Sequence, residues 1–301
     1  MQPALAPSRA FRRSLLLVLA ALAVSLVAAG PAFADALTPE SGGSPNADDI
    51  DSLYKIVLAM SVVLLFGVEG ALLYTVIRFR KRKGMVAAQI HGNTRLEIGW
   101  TVGATVIIVV LSIISFIKLG AISNPAPTGA NGLVPVAGGA LVAAVDQPPP
   151  KGSKGLTVEV NGQQYIWRYT YPGGIFSYEE MVVPTDTTVI LKIVSQDVAH
   201  SWWIPELGGK FDAIPGYTNQ SWFKIPPDKA GTVFRGQCAE LCGQGHANMF
   251  ARVRAVTPDQ YRAWTTCQKQ LIKQAQQATI PPNRAKPSPL PPQACASSVK
   301  N

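Results

Sequence analysis

A stretch of twelve residues holds most of the side chains in this chain that can do chemistry: Cys238, Cys242, His246 and Met249. A further histidine, His200, lies upstream beside two tryptophans. Thiolate and thioether sulfur together with imidazole are the ligands that select copper, above all copper that must also be stable as Cu(I). These residue types at this spacing therefore predict a copper site.

The number of cysteines distinguishes the kinds of copper site. A mononuclear blue-copper site uses one Cys, two His and a weak axial Met, whereas a second thiolate allows two thiolates to bridge two metal ions. The arrangement predicts a two-copper electron-transfer centre. Two alternatives stay open: a disulfide between Cys238 and Cys242, or a zinc site that also includes His200 and His246. Neither alternative uses Met249, because zinc does not favour a thioether.

The composition points to a membrane protein with an exported domain. Hydrophobic residues make up 48% of the 301 residues and charged residues only 15%, which is low for a soluble protein. Near the N-terminus, three arginines precede an apolar run over 14–29, and Ala32-Phe33-Ala34 follows shortly after this run. Such a pattern is typical of a secretory signal peptide. We expect residues 1–34 to be this peptide, with an uncleaved third membrane helix as the alternative.

Two longer apolar runs, over about 53–77 and 98–119, are each long enough to cross a bilayer of about 30 Å. Between them lie six Lys or Arg residues, which the positive-inside rule keeps in the cytoplasm. The segment 35–122 is therefore predicted to be a transmembrane hairpin, and the chain after it is expected to face outward.

The C-terminal part changes from a turn-rich to a strand-rich pattern. Residues 123–155 are rich in Pro and Gly and are predicted to be a linker. Over 156–256, short runs that alternate apolar and polar residues predict an all-β sandwich or barrel. The predicted strands are 156–160, 164–171, 175–183, 187–194, 219–225, 231–235 and 249–256.

Residues 257–301 begin with a predicted helix that ends near Ala278, and they finish in a Pro-rich tail. Cys267 and Cys295 are expected to form a disulfide, because exported cysteines are commonly paired. The sequence has no Cys-x-x-Cys-His motif, so no covalently bound haem is expected on this chain. No phosphate-binding loop or nucleic-acid motif stands out.

Three motifs and the hairpin carry a family resemblance. The motifs are Asp197-x-x-His200-Ser201-Trp202, Pro205-x-Leu207-Gly208-x-Lys210-x-Asp212-Ala213-Ile214-Pro215-Gly216 and Gly236-Gln237-Cys238-x-Glu240-x-Cys242-Gly243-x-x-His246-x-x-Met249. The hairpin contributes Leu96-Glu97-Ile98-x-Trp100-Thr101. With these motifs, the chain resembles subunit II of the haem–copper cytochrome c oxidases. That family joins a two-helix membrane hairpin to an all-β, cupredoxin-like Greek-key sandwich that carries the dinuclear CuA centre.

The resemblance implies a set of metal ligands. The implied copper ligands are the bridging Cys238 and Cys242, the terminal His200 and His246, the weakly bound Met249 and the backbone carbonyl of Glu240. The Glu240 side chain would help to hold a Mg or Mn ion at the contact with subunit I. Asp197 would fix the orientation of the backbone or of the His200 imidazole, as groups next to metal ligands do.

In the same family, electrons from cytochrome c arrive through an aromatic patch, and protons use a channel shared with subunit I. The matching residues are Tyr165 and Trp167 for the electrons and Glu97 for the proton channel. Tyr165 stands where the family usually has Trp, and Tyr217 where it commonly has Arg. Core packing is the alternative role for Trp167, and a favourable position in a first helical turn is the alternative for Glu97.

The resemblance implies a respiratory role without oxygen chemistry on this chain. Electrons from cytochrome c would pass to haem in subunit I, where oxygen is reduced to water and protons are pumped. Subunits I and III are the implied partners, in a bacterial inner membrane with the β domain outside. The two other function classes are a membrane-tethered copper protein for storage, sensing or delivery and a metal-free structural subunit.

The charge of the β domain bears on the electron donor. Residues 151–256 hold ten Lys or Arg and nine Asp or Glu, which leaves no clear negative excess to attract a basic cytochrome c. A local acidic patch around Glu179, Glu180 and Glu206 is the alternative. The sequence favours a donor that is not strongly basic or that docks mainly through apolar contacts.

Overall fold

The computed structural model describes residues 38–80, 84, 86, 89–133, 155–277 and 295. The predicted signal peptide, residues 134–154 of the predicted linker and most of the Pro-rich tail lie outside the described residues. The chain divides into two units, Met1–Pro39 and Glu40–Asn301, and every helix and strand below belongs to the second unit.

Two long apolar helices form the N-terminal part of the described chain. Helix α1 spans Pro45–Arg78 and helix α2 spans Thr94–Ser123, with 34 and 30 residues. At about 1.5 Å per residue, each is longer than a bilayer requires. The predicted apolar runs lie within these helices, and their apolar side chains are mostly exposed. Such surfaces suit lipid or neighbouring membrane helices.

The domain that follows consists of ten strands in two sheets. They are β1 (Leu156–Gln163), β2 (Ile166–Thr170), β3 (Phe176–Tyr178), β4 (Glu180–Pro184), β5 (Thr188–Ser195), β6 (His200–Trp203), β7 (Phe211–Ala213), β8 (Asn219–Lys224), β9 (Val233–Cys238) and β10 (Phe250–Val256). The strand orders are β3-β2-β1-β5-β8 and β4-β10-β9-β6-β7. Most neighbours are antiparallel, whereas β1 and β5, and β4 and β10, are parallel.

Side chains from both sheets share one apolar core. In β10, Ala251, Val253 and Ala255 are buried, while Arg252 and Arg254 alternate with them and are partly exposed. This period of two is what a strand with one buried face requires. The largest fully buried side chains include Trp167, Tyr169, Leu191 and Phe223 from one sheet and Met181 and Phe234 from the other. The predicted fold class, an apolar helical hairpin followed by a cupredoxin-like β-sandwich, is confirmed.

Some strand predictions are wrong in detail. The segment 175–183 is not one strand, because Glu179, with a φ of 60°, separates β3 from β4, and these strands belong to different sheets. A left-handed residue cannot continue an extended strand. Strands β6 and β7 were not predicted from the sequence, because four and three residues are too few to display an alternating pattern.

The start of α1 is held against the β domain by buried polar groups. The Asn46 side chain donates a hydrogen bond to the Trp222 carbonyl at 2.9 Å, and the Ser44 hydroxyl accepts one from the Lys224 N–H at 3.0 Å. The Trp222 indole donates to the Ile122 carbonyl, near the end of α2, at 2.9 Å. Strand β8 therefore contacts both helix ends that face the domain, and the buried polar groups find partners there.

The first part of the predicted linker is bound to the β domain. No helix or strand occurs over the described residues 124–133. Even so, the Gly129 N–H donates to the Asp186 carbonyl at 2.8 Å, and the Leu133 N–H donates to the Thr187 hydroxyl at 2.9 Å. A Cβ at Gly129 would lie 1.9 Å from the Asp186 carboxylate, so the close approach requires glycine.

Helix α3 (Pro258–Gln277) packs on the β domain through two aromatic side chains. Tyr261 and Trp264 are buried, and the Trp264 ring lies 5.1 Å from the Tyr171 ring, centroid to centroid. On the same helix, Cys267 forms a disulfide with Cys295. The predicted disulfide is therefore confirmed, and it constrains the unfolded chain more than the folded one.

Candidate metal centre

The candidate ligands meet because two strand ends lie side by side. His200 is the first residue of β6 and Cys238 the last residue of β9, and these strands are neighbours in the second sheet. The Cys238 N–H donates to the Met249 carbonyl at 2.9 Å. This bond closes the loop that carries Cys242 and His246, so residues far apart in sequence face one another.

The sulfur and imidazole atoms form a continuous line of contacts. The Sγ atoms of Cys238 and Cys242 are 3.9 Å apart. His200 Nδ1 is 3.9 Å from Cys238 Sγ, and His246 Nδ1 is 3.6 Å from Cys242 Sγ. Met249 Sδ is 3.9 Å from Cys242 Sγ. The ligand atoms of His200, Cys238 and Cys242 lie within 4.8 Å of one another and could hold a metal ion.

Cys238 and Cys242 are both buried and both free. Their separation of 3.9 Å is far longer than the roughly 2.05 Å of a disulfide bond. The alternative of a disulfide between them is therefore wrong. Burial, and then the adjacent Cys238, raise the pKa of Cys242 to about 11. Two neighbouring thiolates thus need a cation to neutralise them.

His200 is fully buried, and both of its ring nitrogens have a neighbour. Nε2 lies 2.8 Å from Asp197 Oδ1, while Nδ1 faces Cys238. Partial burial raises the pKa of Asp197, but hydrogen bonds from His200 and from the N–H groups of Gln164 and Val198 outweigh it and lower that pKa below its ordinary value. Asp197 therefore stays ionised near neutral pH and orients the imidazole.

Two further residues limit the position of the His200 ring. Trp167 is fully buried, and its ring lies edge-on to His200 at a centroid distance of 5.8 Å. A Cβ at Gly162 would come within 2.9 Å of the His200 ring, so glycine leaves the room that the imidazole needs. Gly162 is not among the predicted site residues. The sequence feature that could have identified Gly162 is its position between two predicted strands, because a glycine there often marks a place where another group approaches the backbone closely.

Two other predicted site residues, Tyr165 and Glu240, are exposed: Glu240 belongs to the metal loop (residues 238–249), and Tyr165 packs against that loop. Tyr165 is 38% exposed, and its ring packs so closely on the loop that a Cβ at Gly245 would lie 2.4 Å from it. Because Trp167 is buried, Tyr165 is the residue of that predicted pair that can meet a partner protein. Glu240 is exposed, and its backbone carbonyl lies 3.2 Å from Cys238 Sγ.

Glu97 lies in the first turn of α2 and takes part in a helix cap. Its carboxylate accepts a hydrogen bond from the Asn93 N–H at 3.2 Å, and the Asn93 side chain accepts one from the Leu96 N–H at 3.2 Å. Such reciprocal bonds satisfy donors that the start of a helix leaves free. The structure gives Glu97 this capping role, and its role in a proton channel stays a prediction.

Arginines neutralise most of the acidic patch considered around Glu179 and Glu180. Arg254 contacts the two carboxylate oxygens of Glu180 at 2.7 and 3.0 Å, and Arg252 lies 3.9 Å from Glu179. The hydrogen bond to Glu180 also raises the pKa of Arg254. The pairing of β4 with β10 brings these charges together, so this edge of the sheet has little net charge.

The fold and the site define a membrane-anchored β-sandwich protein with a buried group of cysteine and histidine side chains that could hold a metal ion. Family comparisons agree with this class. The family described as cytochrome c oxidase subunit II, periplasmic domain, matches residues 175–256. The corresponding transmembrane domain of cytochrome c oxidase subunit II matches residues 33–117.

Individual relatives carry the same description. Cytochrome c oxidase subunit 2 of Thermostichus vulcanus is 32% identical over 76% of this chain and 77% of the relative. The subunit of Alkalihalophilus pseudofirmus is 33% identical over 76% of this chain and 60% of the relative. The subunit of a Bacillus species is 35% identical over 62% of this chain and 49% of the relative. The solved periplasmic domain of subunit II of Bradyrhizobium japonicum cytochrome oxidase is 33% identical, with a TM-score of 0.37, and covers 40% of this chain and 97% of that domain.

The chain belongs to the cytochrome c oxidase subunit II family. The match to the Thermostichus subunit extends over most of both chains. The chain spans only 60% and 49% of the length of the Alkalihalophilus and Bacillus relatives.

The raised pKa of Cys242 gives a test of the buried thiol pair. In the metal-free chain, the thiolate absorbance that is lost in a Cys242→Ser variant should titrate with a midpoint near pH 11, against about 8.5 for an ordinary thiol. Because the folded pKa is raised, the stability that this neutral thiol contributes is complete below about pH 8.5 and is lost as the pH rises through the folded value. The same titration in denaturant should return the ordinary midpoint. An ordinary midpoint in the folded chain would contradict the buried geometry.

Proposed function

We propose that this chain is the electron-input subunit of a cytochrome c oxidase and that it binds two copper ions as a CuA centre. The observation that carries the proposal is the pair of free, buried thiols of Cys238 and Cys242, with one imidazole at each end, from His200 and His246. Membership of the subunit II family supports the same assignment.

The donor atoms fit two copper ions better than one zinc ion. Around one tetrahedral zinc, bonds of about 2.3 Å to sulfur and about 2.0 Å to nitrogen bring all four donors within roughly 4 Å of one another. Among the described residues, the group within 4.8 Å comprises His200, Cys238 and Cys242 but not His246. His246 extends the line beyond Cys242, which supports a second metal position. Met249 adds a thioether, which copper accepts.

In this proposal the two ions would be held by Cys238 and Cys242 together, as shared thiolates, and His200 and His246 would each supply an imidazole to one ion. Met249 and the backbone carbonyl of Glu240 supply weaker ligands, in line with their contacts to the two sulfur atoms. When bound, a thiolate-bridged copper pair supplies a one-electron carrier whose charge is shared between two metals.

The protein's own contribution is to hold these ligands still and to exclude water. His200, Cys238, Cys242 and Met249 are at most 4% exposed. A preorganised and buried site needs little rearrangement when an electron arrives, which favours fast transfer. The same burial argues against a storage or delivery protein, which has to release its metal readily.

Tyr165 is the proposed point of contact with the donor, cytochrome c, because its exposed ring packs on the metal loop. Trp167 would lie next on the route, since its ring contacts His200. The exposed Glu240 side chain would help to hold a Mg or Mn ion at the contact with subunit I. Glu97 would stand at the mouth of the proton channel shared with that subunit.

Subunits I and III complete the proposed assembly. The hairpin would lie in a bacterial inner membrane with the β domain on its outer side. Electrons would leave this chain for haem in subunit I, where oxygen is reduced to water and protons are pumped. The chain itself is expected to carry no haem.

Electron delivery in the assembled oxidase tests the proposal. In an oxidase that carries Cys242→Ser, reduced cytochrome c should no longer reduce the haem of subunit I at a detectable rate, because one bridging thiolate is lost. A small reductant that reaches the haem directly should still reduce it. Stopped-flow absorbance of the haem measures both rates. The control Gln244→Ala changes an exposed residue of the same loop and should behave as the unmodified oxidase. Normal reduction by cytochrome c in the Cys242→Ser oxidase would contradict the proposal.

Neutralisation of the acidic patch predicts a weak effect of salt. The rate of haem reduction by cytochrome c should fall only slightly as ionic strength rises to physiological levels, because arginines pair with the Glu179 and Glu180 carboxylates and leave this patch little net charge to steer the donor. An oxidase with both Glu180→Gln and Arg254→Gln should give the same salt dependence, since the two opposite charges of this pair are removed together. A steep fall in rate with salt would contradict this account and would require an acidic docking face elsewhere.

A further inference from the structure

Gln164 makes two hydrogen bonds, and each reaches a different part of the metal site. Its backbone N–H donates to Asp197 Oδ2 at 2.7 Å. Its side-chain Nε2 donates to the Cys242 carbonyl at 2.7 Å. The first partner orients His200, and the second belongs to the loop that carries Cys242 and His246. One residue between β1 and β2 thus joins the two segments that supply the ligands.

The surroundings of Gln164 strengthen this connection. The next residue, Tyr165, packs on the same loop, because a Cβ at Gly243 would lie 2.7 Å from its hydroxyl and a Cβ at Gly245 would lie 2.4 Å from its ring. The loop therefore meets the β1–β2 connection through a hydrogen bond and through ring packing. The first sheet contains no metal ligand among the predicted set, and this connection adds a contact with the loop to the contacts that Gly162 and Trp167 make with His200.

We propose that Gln164 is a positioning residue that fixes the His200 and Cys238 half of the site relative to the Cys242 and His246 half. This proposal rests on the proposed copper function. His200 comes from the start of β6, whereas Cys242 and His246 come from the loop that follows β9, and the separation between His200 and His246 decides whether two metals can share the two thiols. The hydrogen bond from the Gln164 side chain holds the Cys242 carbonyl, and hence the loop, at its distance from Asp197.

The chemistry of the side chain makes the proposal specific. The contact to the Cys242 carbonyl requires a donor, which the amide of glutamine supplies and the carboxylate of glutamate does not. Glu at position 164 would keep the size of the side chain while placing negative charge beside a carbonyl oxygen. Gln164 is exposed, so its replacement leaves the core of the sandwich unchanged and the effect on the site can be separated from unfolding.

The first experiment measures hydrogen exchange of the loop 238–249 in the metal-free full chain in detergent. Variants Gln164→Glu and Gln164→Ala should exchange these amides roughly fivefold faster, the effect of losing about one hydrogen bond. Exchange in the core strands should not change. The matched control is Gln163→Ala, because the Gln163 amide donates to Gln196 at 2.6 Å, outside the loop 238–249. Gln163→Ala should exchange the loop at the normal rate.

The second experiment adds copper to the same full-length chains. Both Gln164 variants should lose copper to a chelator faster than the unmodified chain and should show an altered EPR hyperfine pattern and reduction potential. The conservative Gln164→Asn variant retains an amide donor and should restore part of the retention. These changes report ligand spacing, which a purely structural role would leave unaltered.

The outcomes separate this proposal from the proposed function. If both Gln164 variants match Gln163→Ala in loop exchange, copper retention and EPR pattern, Gln164 does not position the site and the inference is overturned. If the unmodified chain does not bind copper, the proposed function is wrong, and the positioning role, which rests on that function, is wrong as well. Normal copper binding by the unmodified chain together with faster copper loss from both variants is the result we expect.

Discussion

The structure of the site depends on two thiols that are held side by side without bonding. Cys238 Sγ and Cys242 Sγ lie 3.9 Å apart and are buried. Burial and the adjacent Cys238 raise the pKa of Cys242, so a cation that neutralises the charge favours the thiolate form of the pair. The neighbouring groups are arranged around this pair of thiols. The imidazoles stand at the two ends of the pair, and Asp197 and Gly162 determine where one of them lies.

The sandwich maintains this constraint through hydrogen bonds at strand ends. The Cys238 N–H donates to the Met249 carbonyl, and the Ala239 N–H donates to the Ser201 carbonyl, both at 2.9 Å. These bonds join β6, β9 and the start of β10 where the ligands lie. Further away, Asn46 and Trp222 attach the hairpin to β8. The hydrogen bonds between the hairpin and β8 therefore help to set the position of the site relative to the membrane helices.

The features that could be predicted from the sequence have local signals. The ligand types and their spacing within the loop indicated copper chemistry, and the length of the apolar runs indicated α1 and α2. Features that depend on tertiary contacts could not be predicted in this way. The positive φ at Glu179 divides a segment whose pattern favours one strand. The pairing of Glu180 with Arg254 follows from the neighbouring positions of β4 and β10, which the sequence does not specify. The attachment of residues 124–133 depends on Asp186 and Thr187, more than fifty positions away.

Copper analysis combined with EPR tests the central claim most directly. The full-length chain would be loaded with copper, partly oxidised and examined for its metal-to-chain ratio and its hyperfine pattern. The account predicts two copper ions per chain that share one unpaired electron, with splitting from both nuclei. One copper ion with the simpler pattern of a single nucleus, or zinc without a signal, would contradict the two-copper centre.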